Sequence, residues 1–329
     1  MPPESSSCLG KHEVVTLGEA MLRLSSQFGV RLETAHRLDL TVAGSECNVA
    51  ADLAALGIAA TWMSRLPRTQ LGRRIIQELS SVGVDVAHVS WSDEGRVGLF
   101  FVEPGVKPRP SVVLYDRADS AFSSMEPDQL DLRPIDGAAW AVVSGITPAL
   151  SDAAASSALE FMRAAADRGV KTCVDVNYRS RLWPPQRARE GLIPLLVHAT
   201  VVVCAERDAR TVFGLDGHEA SVIEGFRRLS PNAEFIVLTQ QEQGSLAVSA
   251  DGSKVRVPYV PATVVDRLGV GDAFLAGFLS GLIGGDVRTA MQRAAAMAAL
   301  KSTVAGDFAR ARAEDLEALI SLVQDDVVR

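Results

Sequence analysis

The sequence predicts an α/β fold, with a mostly parallel sheet covered by helices on its faces. Short β-branched runs alternate with Ala- and Leu-rich stretches at helical spacing, the signature of strands buried on both sides. Of the 329 residues 47% are hydrophobic, enough for a large buried core. No repeat of fixed period and no low-complexity linker divides the chain into separate beads.

Taken in order, core strands are expected at 14–17, 61–64, 140–144, 172–176, 200–204 and 235–239. Helices are expected between them, at 46–56, 71–82, 151–168, 219–229, 271–284 and 287–303. A second texture interrupts this one. The runs 22–26, 38–42, 97–102 and 111–115 have charged or Pro/Gly neighbours and no helix long enough to join them as βαβ units. They predict a small antiparallel sheet assembled from 20–43 and 96–117, a lid on one α/β domain spanning 12–325. Leu99, Phe101 and Val113 are assigned to its outer face, where their apolar side chains predict a homodimer formed through the lid.

Composition narrows the function class. With 33 basic against 40 acidic residues the net charge is -7, which disfavours nucleic acid as a partner. The cysteines Cys8, Cys47, Cys173 and Cys204 form no CxxC pair, and three lie in apolar or helical runs, which points to a reducing compartment. Residues 1–10 lack a basic start followed by an apolar stretch, and no later run approaches the ~18 apolar residues of a membrane span. The cytoplasm is the expected location.

The chemistry concentrates in Asp266-Arg267-Leu268-Gly269-Val270-Gly271-Asp272, followed by a strongly apolar helix. Two glycines one residue apart at a helix start let backbone amides point into open space and bind an anion. Asp272 falls in the first turn, where unpaired amides and the helix dipole stabilise a carboxylate. Taken alone, the same residues also describe a plain N-terminal cap.

This stretch matches the C-terminal signature of the ribokinase-like (PfkB) carbohydrate kinases, Asp-Thr/Pro-x-Gly-Ala-Gly-Asp, and the sequence resembles that family over nearly its whole length. The resemblance implies a three-layer α/β/α sandwich with a β lid and a reaction that uses ATP and Mg2+. It further implies an anion hole at Gly269, Val270 and Gly271, with Asp272 as the base that takes the proton of a sugar hydroxyl. Phosphoryl transfer needs positioning and charge neutralisation more than a strong base, which suits such a site. Ala43-Gly44-Ser45-Glu46-Cys47-Asn48-Val49-Ala50 resembles the family's Gly-Gly-x-x-x-Asn-x-Ala motif, so Gly44, Glu46 and Asn48 are expected to meet the sugar. An Asn inside an Ala-rich helix has poor propensity, which a ligand contact would explain.

Within the family the chain looks most like the 2-keto-3-deoxygluconate kinases. Four stretches carry this: Gly18-Glu19-Ala20-Met21-Leu22-Arg23-Leu24, Tyr115-Asp116-Arg117-Ala118-Asp119-Ser120-Ala121, Asp175-Val176-Asn177-Tyr178-Arg179-Ser180-Arg181-Leu182-Trp183, and Leu300-Lys301-Ser302-Thr303-Val304-Ala305-Gly306-Asp307-Phe308. The implied substrate is a sugar acid, phosphorylated at its terminal hydroxyl, whose carboxylate needs a cation. Arg117 supplies a fork suited to a carboxylate, and Tyr115, two residues earlier, shares its face of a strand. Phe100 stands where the family often has a substrate-contacting tyrosine. Asn177 and Arg179 follow a core strand at the C-terminal sheet edge, where ligands of open α/β folds collect. The resemblance sets them between sugar and nucleotide.

The nucleotide side departs from the pattern. Thr239 and Gly244 bound the nucleotide loop, but Gln241 replaces its first glycine, and Ala295 stands where an adenine-side Asn is frequent. The magnesium-associated Asn-x-x-Glu reads Ala205-Glu206-Arg207-Asp208, so the metal ligands stay unassigned, with Asp208 able to replace the acid. No G-x-G-x-x-G turn follows the first strand and no P-loop is present, which argues against a dehydrogenase or a P-loop enzyme. The remaining alternatives are a fructose, ribose or nucleoside kinase of the same family, and a non-catalytic sugar-acid sensor.

Overall fold

The computed structural model describes residues 13–328, so Cys8 and the 1–10 stretch lie outside the described residues. In chain order the strands are β1 (Val14–Leu17), β2 (Met21–Ser25), β3 (Asp39–Ala43), β4 (Ala60–Pro67), β5 (Val89–Ser92), β6 (Gly98–Glu103), β7 (Val112–Asp116), β8 (Trp140–Ser144), β9 (Lys171–Asp175), β10 (Val201–Ala205), β11 (Phe235–Thr239), β12 (Ser245–Ser249) and β13 (Lys254–Val257). The helices are α1 (Ser45–Ala55), α2 (Gln70–Ser81), α3 (Asp152–Asp167), α4 (Pro185–Leu196), α5 (Glu206–Phe213), α6 (Glu219–Leu229), α7 (Val270–Gly284), α8 (Val287–Ser302) and α9 (Ala313–Val328).

Nine strands form the main sheet in the order β13-β12-β11-β10-β9-β8-β1-β4-β5, parallel from β11 to β5 and antiparallel at β12 and β13. Alternation along each strand divides the core between two faces. Val15 and Leu17 join Phe161, Leu192 and Phe226 from α3, α4 and α6, whereas Val14 joins Leu79, Phe274, Phe278 and Met291 from α2, α7 and α8. The result is the expected three-layer sandwich. Helices α7 and α8 approach closely because Gly277 and Gly281 face α8; a Cβ on Gly281 would lie 2.3 Å from the Ala290 Cα.

Strands β1, β8 and β11 have the bounds that the apolar runs predict, and β4, β9 and β10 are extended or shifted by one to three residues at an end. Helices α4, α5 and α9 and strands β5, β12 and β13 had no counterpart in the sequence reading. The interior Pro194 of α4 masks its periodicity, and β13 lies at the sheet edge, where little burial shapes its sequence.

The lid is a four-stranded sheet in the order β3-β2-β6-β7. Its flanking pairs are antiparallel, as expected, and β2 and β6 meet in parallel at the central seam where the two chain segments join. The register sets Phe101 opposite Leu114 and Val102 opposite Val113. Val113 packs with Met21, Ala43, Phe100 and Val102 on the inner face, correcting its assignment to the outer face, because β7 begins at Val112 and alternation puts the Val112 and Leu114 side chains on the other face.

Cys47, Cys173 and Cys204 are buried and free, as small apolar side chains. Among the described residues no helix is long and apolar enough to cross a membrane.

Candidate active site

The start of α7 is fixed by glycine. Gly269 has φ +82, and a Cβ there would lie 2.0 Å from the Asp307 carbonyl oxygen, so no other residue fits without moving the backbone. Val270 and Gly271 begin the helix and Asp272 falls in its first turn, 7% exposed.

Two side chains of α1 hold the Asp272 carboxylate. Ser45 Oγ donates to Oδ1 at 2.7 Å and Asn48 Nδ2 donates to Oδ2 at 2.7 Å. Three residues apart, Ser45 and Asn48 share one face of the helix. The amide of Asn48 is oriented by the Gly44 N–H, which donates to its Oδ1 at 3.2 Å, and Ser45 Oγ accepts from Asn177 Nδ2 at 3.1 Å. Burial pushes the Asp272 carboxyl above the usual range, while the hydrogen bonds from Asn48 and Ser45 and the charge of Arg179 pull it down. Asn48 thus lines the cavity, but its amide bridges Gly44 and the acid, a positioning task that the expected sugar contact did not include.

Glu46 points elsewhere. One residue beyond Ser45, it turns about 100° around the helix, and its Oε1 accepts from the Ser144 N–H at 2.9 Å and Thr147 Oγ1 at 2.7 Å. It is absent from the cavity wall, which corrects its assignment as a sugar contact; burial pushes its carboxyl up to about 7.

Two cavities flank the glycine turn. The larger, about 1130 Å³, lies under the lid and is lined by Gly44, Asn48, Phe100, Tyr115, Arg117, Arg179, Gly269 and Asp272. The smaller, about 480 Å³, is lined by Thr239, Gln241, Gly244, Val270, Gly271 and Ala295. Gly269 and Asp272 thus face one cavity, Val270 and Gly271 the other, and the turn is the partition between them. Arg179, expected at both sugar and nucleotide, and Gly269, expected at the nucleotide, line the larger cavity only, and Asn177 lines neither; it bonds Ser45 instead. Arg207 lines both.

Across the lid, Phe100 and Tyr115 pair in register and their rings stack at 5.6 Å. The Arg117 guanidinium lies 5.9 Å from the Tyr115 ring centroid, so the two do share a face. Arg117 is also ion-paired to the buried Glu19, a residue to which the sequence motifs give no role. The only signal was a carboxylate at the end of an apolar strand. Arg179 and Arg181 line the same cavity with no carboxylate ion-paired to either among the described residues, and Arg181 Nη1 donates to the Val113 carbonyl at 2.8 Å.

Among the described residues no cluster of three or more His, Cys, Asp or Glu is arranged to hold a metal. Asp208, 6% exposed, lines the larger cavity, and burial pushes its carboxyl up; the buried Asp175 is pushed up to about 8 for the same reason, with Asp272 adding to the effect. A Mg2+ ion on nucleotide phosphates takes one or two protein carboxylates and keeps waters for the rest, and such a donor set fits Asp208. Gln241 has φ +53, in the left-handed region that favours glycine.

The family model for pfkB carbohydrate kinases matches residues 11–311. The chain is 42% identical over 309 residues to a 2-dehydro-3-deoxygalactonokinase of Haloferax volcanii, covering 94% of this chain and 96% of that one. It is 30% identical over 308 residues to a 2-dehydro-3-deoxygluconokinase of Bacillus subtilis, covering 91% and 92%. Among solved structures, the 2-dehydro-3-deoxygluconokinase of Thermotoga maritima superposes with a TM-score of 0.88 at 32% identity, covering 95% of this chain and 99% of that one.

Proposed function

This chain belongs to the pfkB family of carbohydrate kinases, and from that premise we propose that it transfers the γ-phosphoryl group of ATP to the terminal hydroxyl of 2-dehydro-3-deoxygluconate or its galactonate epimer. One observation carries the reading: the glycine turn divides two cavities, with Asp272 on the larger side and Val270 and Gly271 on the smaller. The sugar acid occupies the cavity under the lid and the nucleotide the other. The γ-phosphoryl lies over the amides that begin α7. The terminal hydroxyl oxygen attacks phosphorus, the bond to the β-phosphate oxygen breaks, ADP leaves, and the hydroxyl proton passes to Asp272.

Arg117 meets the substrate as half of an ion pair with Glu19, whereas Arg179 and Arg181 line the same cavity with no ion pair among the described residues. Such local cations suit an anionic substrate in a chain of net charge -7. Asp208 is the carboxylate that would hold Mg2+, which supplies charge neutralisation on the phosphates.

The motifs of the sequence favour the gluconate epimer, and the 42% identity to a galactonate enzyme favours the other. The two differ in configuration at C4. An ADP-release assay across both epimers, fructose, ribose and adenosine separates these outcomes, with Asp272→Asn as control. Absence of turnover on either sugar acid would sink the substrate reading. Undiminished turnover in the variant would sink the base, whose loss should lower kcat about 100-fold or more.

The homodimer is proposed through the lid's outer face. There Leu40, Leu24, Phe101 and Leu114 form one cross-strand row, with Leu114 52% exposed.

A further inference from the structure

We infer that Arg23 is a positioning residue that sets the phosphoryl-binding turn against the sugar-facing row of the lid, an inference that rests on the reading of the turn given above. Arg23 is in the middle of β2 and is 3% exposed. The register places it beside Phe100, which pairs in turn with Tyr115, so one cross-strand row carries both the aromatic pair of the sugar cavity and this guanidinium.

Every nitrogen of the guanidinium is engaged. Nη2 meets Asp266 Oδ2 at 2.6 Å, Nη1 meets Asp307 Oδ2 at 2.8 Å, and Nε donates to Ser25 Oγ at 2.7 Å. The two carboxylates belong to the loops that shape the turn. Asp266 Oδ1 accepts from the Leu268 N–H at 3.0 Å, one residue before Gly269, and its Oδ2 accepts from the Gly306 N–H at 3.2 Å. The Asp307 carbonyl is the oxygen against which Gly269 packs. From below, the fully buried Lys301 donates to the Asp266 carbonyl at 3.4 Å and the Val304 carbonyl at 3.3 Å, tying the same two loops together.

A second, apolar contact follows the same route. Leu268 packs against Met21, Ala43, Phe100 and Val102 of the lid. The strand that carries Arg23 is thus joined to the turn by ion pairs to two separate carboxylates and by a side chain of the turn itself. In-line transfer depends on the spacing of those two elements, and misplacement by about 1 Å lowers the rate about 100-fold. Arg23 touches neither substrate in this arrangement; it fixes where the turn amides stand relative to the acceptor hydroxyl.

The test is kinetic and spectroscopic on the full chain. Arg23→Met should lower kcat about 100-fold while KM for sugar acid and for ATP stays within a few-fold, and Arg23→Lys should recover part of kcat. Removing one partner of a buried pair leaves charge uncompensated, so Arg23→Met/Asp307→Asn restores the balance. It should regain melting temperature without regaining kcat. Hydrogen exchange at the 268–271 amides should quicken at least tenfold in both variants. A double variant with wild-type kcat, a raised KM at unchanged kcat, or unchanged exchange in that segment overturns the inference. A wild-type enzyme that binds ADP with fluoroaluminate no tighter than ADP overturns instead the reading of the turn as an anion hole, while the exchange measurement still judges Arg23.

Discussion

The Ser45 hydroxyl donates to Asp272 Oδ1 at 2.7 Å and itself accepts from Asn177 at 3.1 Å, so a helix start, a loop and a helix turn converge on one carboxylate. The bond favours the ionised acid, while burial opposes it. A base must be ionised to accept a proton, and the acid limb of the rate profile follows its protonation. Ser45→Ala removes an interaction that lowers the carboxyl, so the acid limb of kcat/KM against pH should move to higher pH. A limb that stays in place or moves down would show that Ser45 does not tune the acid.

Arg117 supplies a test of the acceptor class. Arg117→Met should raise KM for the sugar acid more than tenfold, equivalent to about 1.5–3 kcal/mol for a hydrogen bond to a charged group, with KM for ATP unchanged. Steady-state kinetics read both. Little change in either value would favour a neutral sugar.

Gln241 holds φ +53, where a side chain is strained by about 1 kcal/mol or more. Gln241→Gly should leave thermal stability equal or higher, and Gln241→Val should lower it, because a β-branched residue resists that conformation. Calorimetry of the two variants decides it; a stable valine variant would contradict the strained loop.

Asp52 is 1% exposed, with Oδ1 accepting from the Ala309 N–H at 2.7 Å and Oδ2 unpartnered, and burial pushes its carboxyl up to about 8. The unfolded chain ionises it near about 4. Between those values the native state holds the extra proton, so its contribution to stability falls as pH rises through the window and levels off above it, by up to about 1.4 kcal/mol per pH unit. Asp175, pushed up to about 8, and Glu46, up to about 7, act in the same direction. Asp52→Asn should flatten the fall in melting temperature between about pH 6 and 8 and be the more stable form at the upper end. A variant with the wild-type slope would refute the assignment.

Leu114 on the lid tests assembly. Leu114→Asp places a charge on the outer apolar row and should convert a dimer to a monomer in sedimentation at micromolar concentration. A wild-type monomer under those conditions removes the dimer.

The central strands were legible because parallel strands buried on both faces leave unbroken apolar runs, as in Trp140–Ser144 and Phe235–Thr239. The turn was legible because a glycine-spaced helix start is a local pattern, and at Gly269, with φ +82 against the Asp307 carbonyl, no other residue fits. Strand β13, with two exposed residues of four, left no such run. Helix α4 was obscured by Pro194. At the site, Glu46 was misplaced because its motif fixes a spacing and not a direction, and Glu19 was passed over because its partner Arg117 lies 98 positions away.

By itself the sequence determined the α/β class, the family, and the turn with Asp272 at its end, because burial period and glycine placement are local properties written into neighbouring residues. Only the tertiary structure decided that Ser45, Asn48 and Asn177 hold the acid, that the turn divides two cavities, and that Arg23 ties lid to turn across 284 positions. Those relations depend on where distant loops meet when the core packs, and no local pattern carries them.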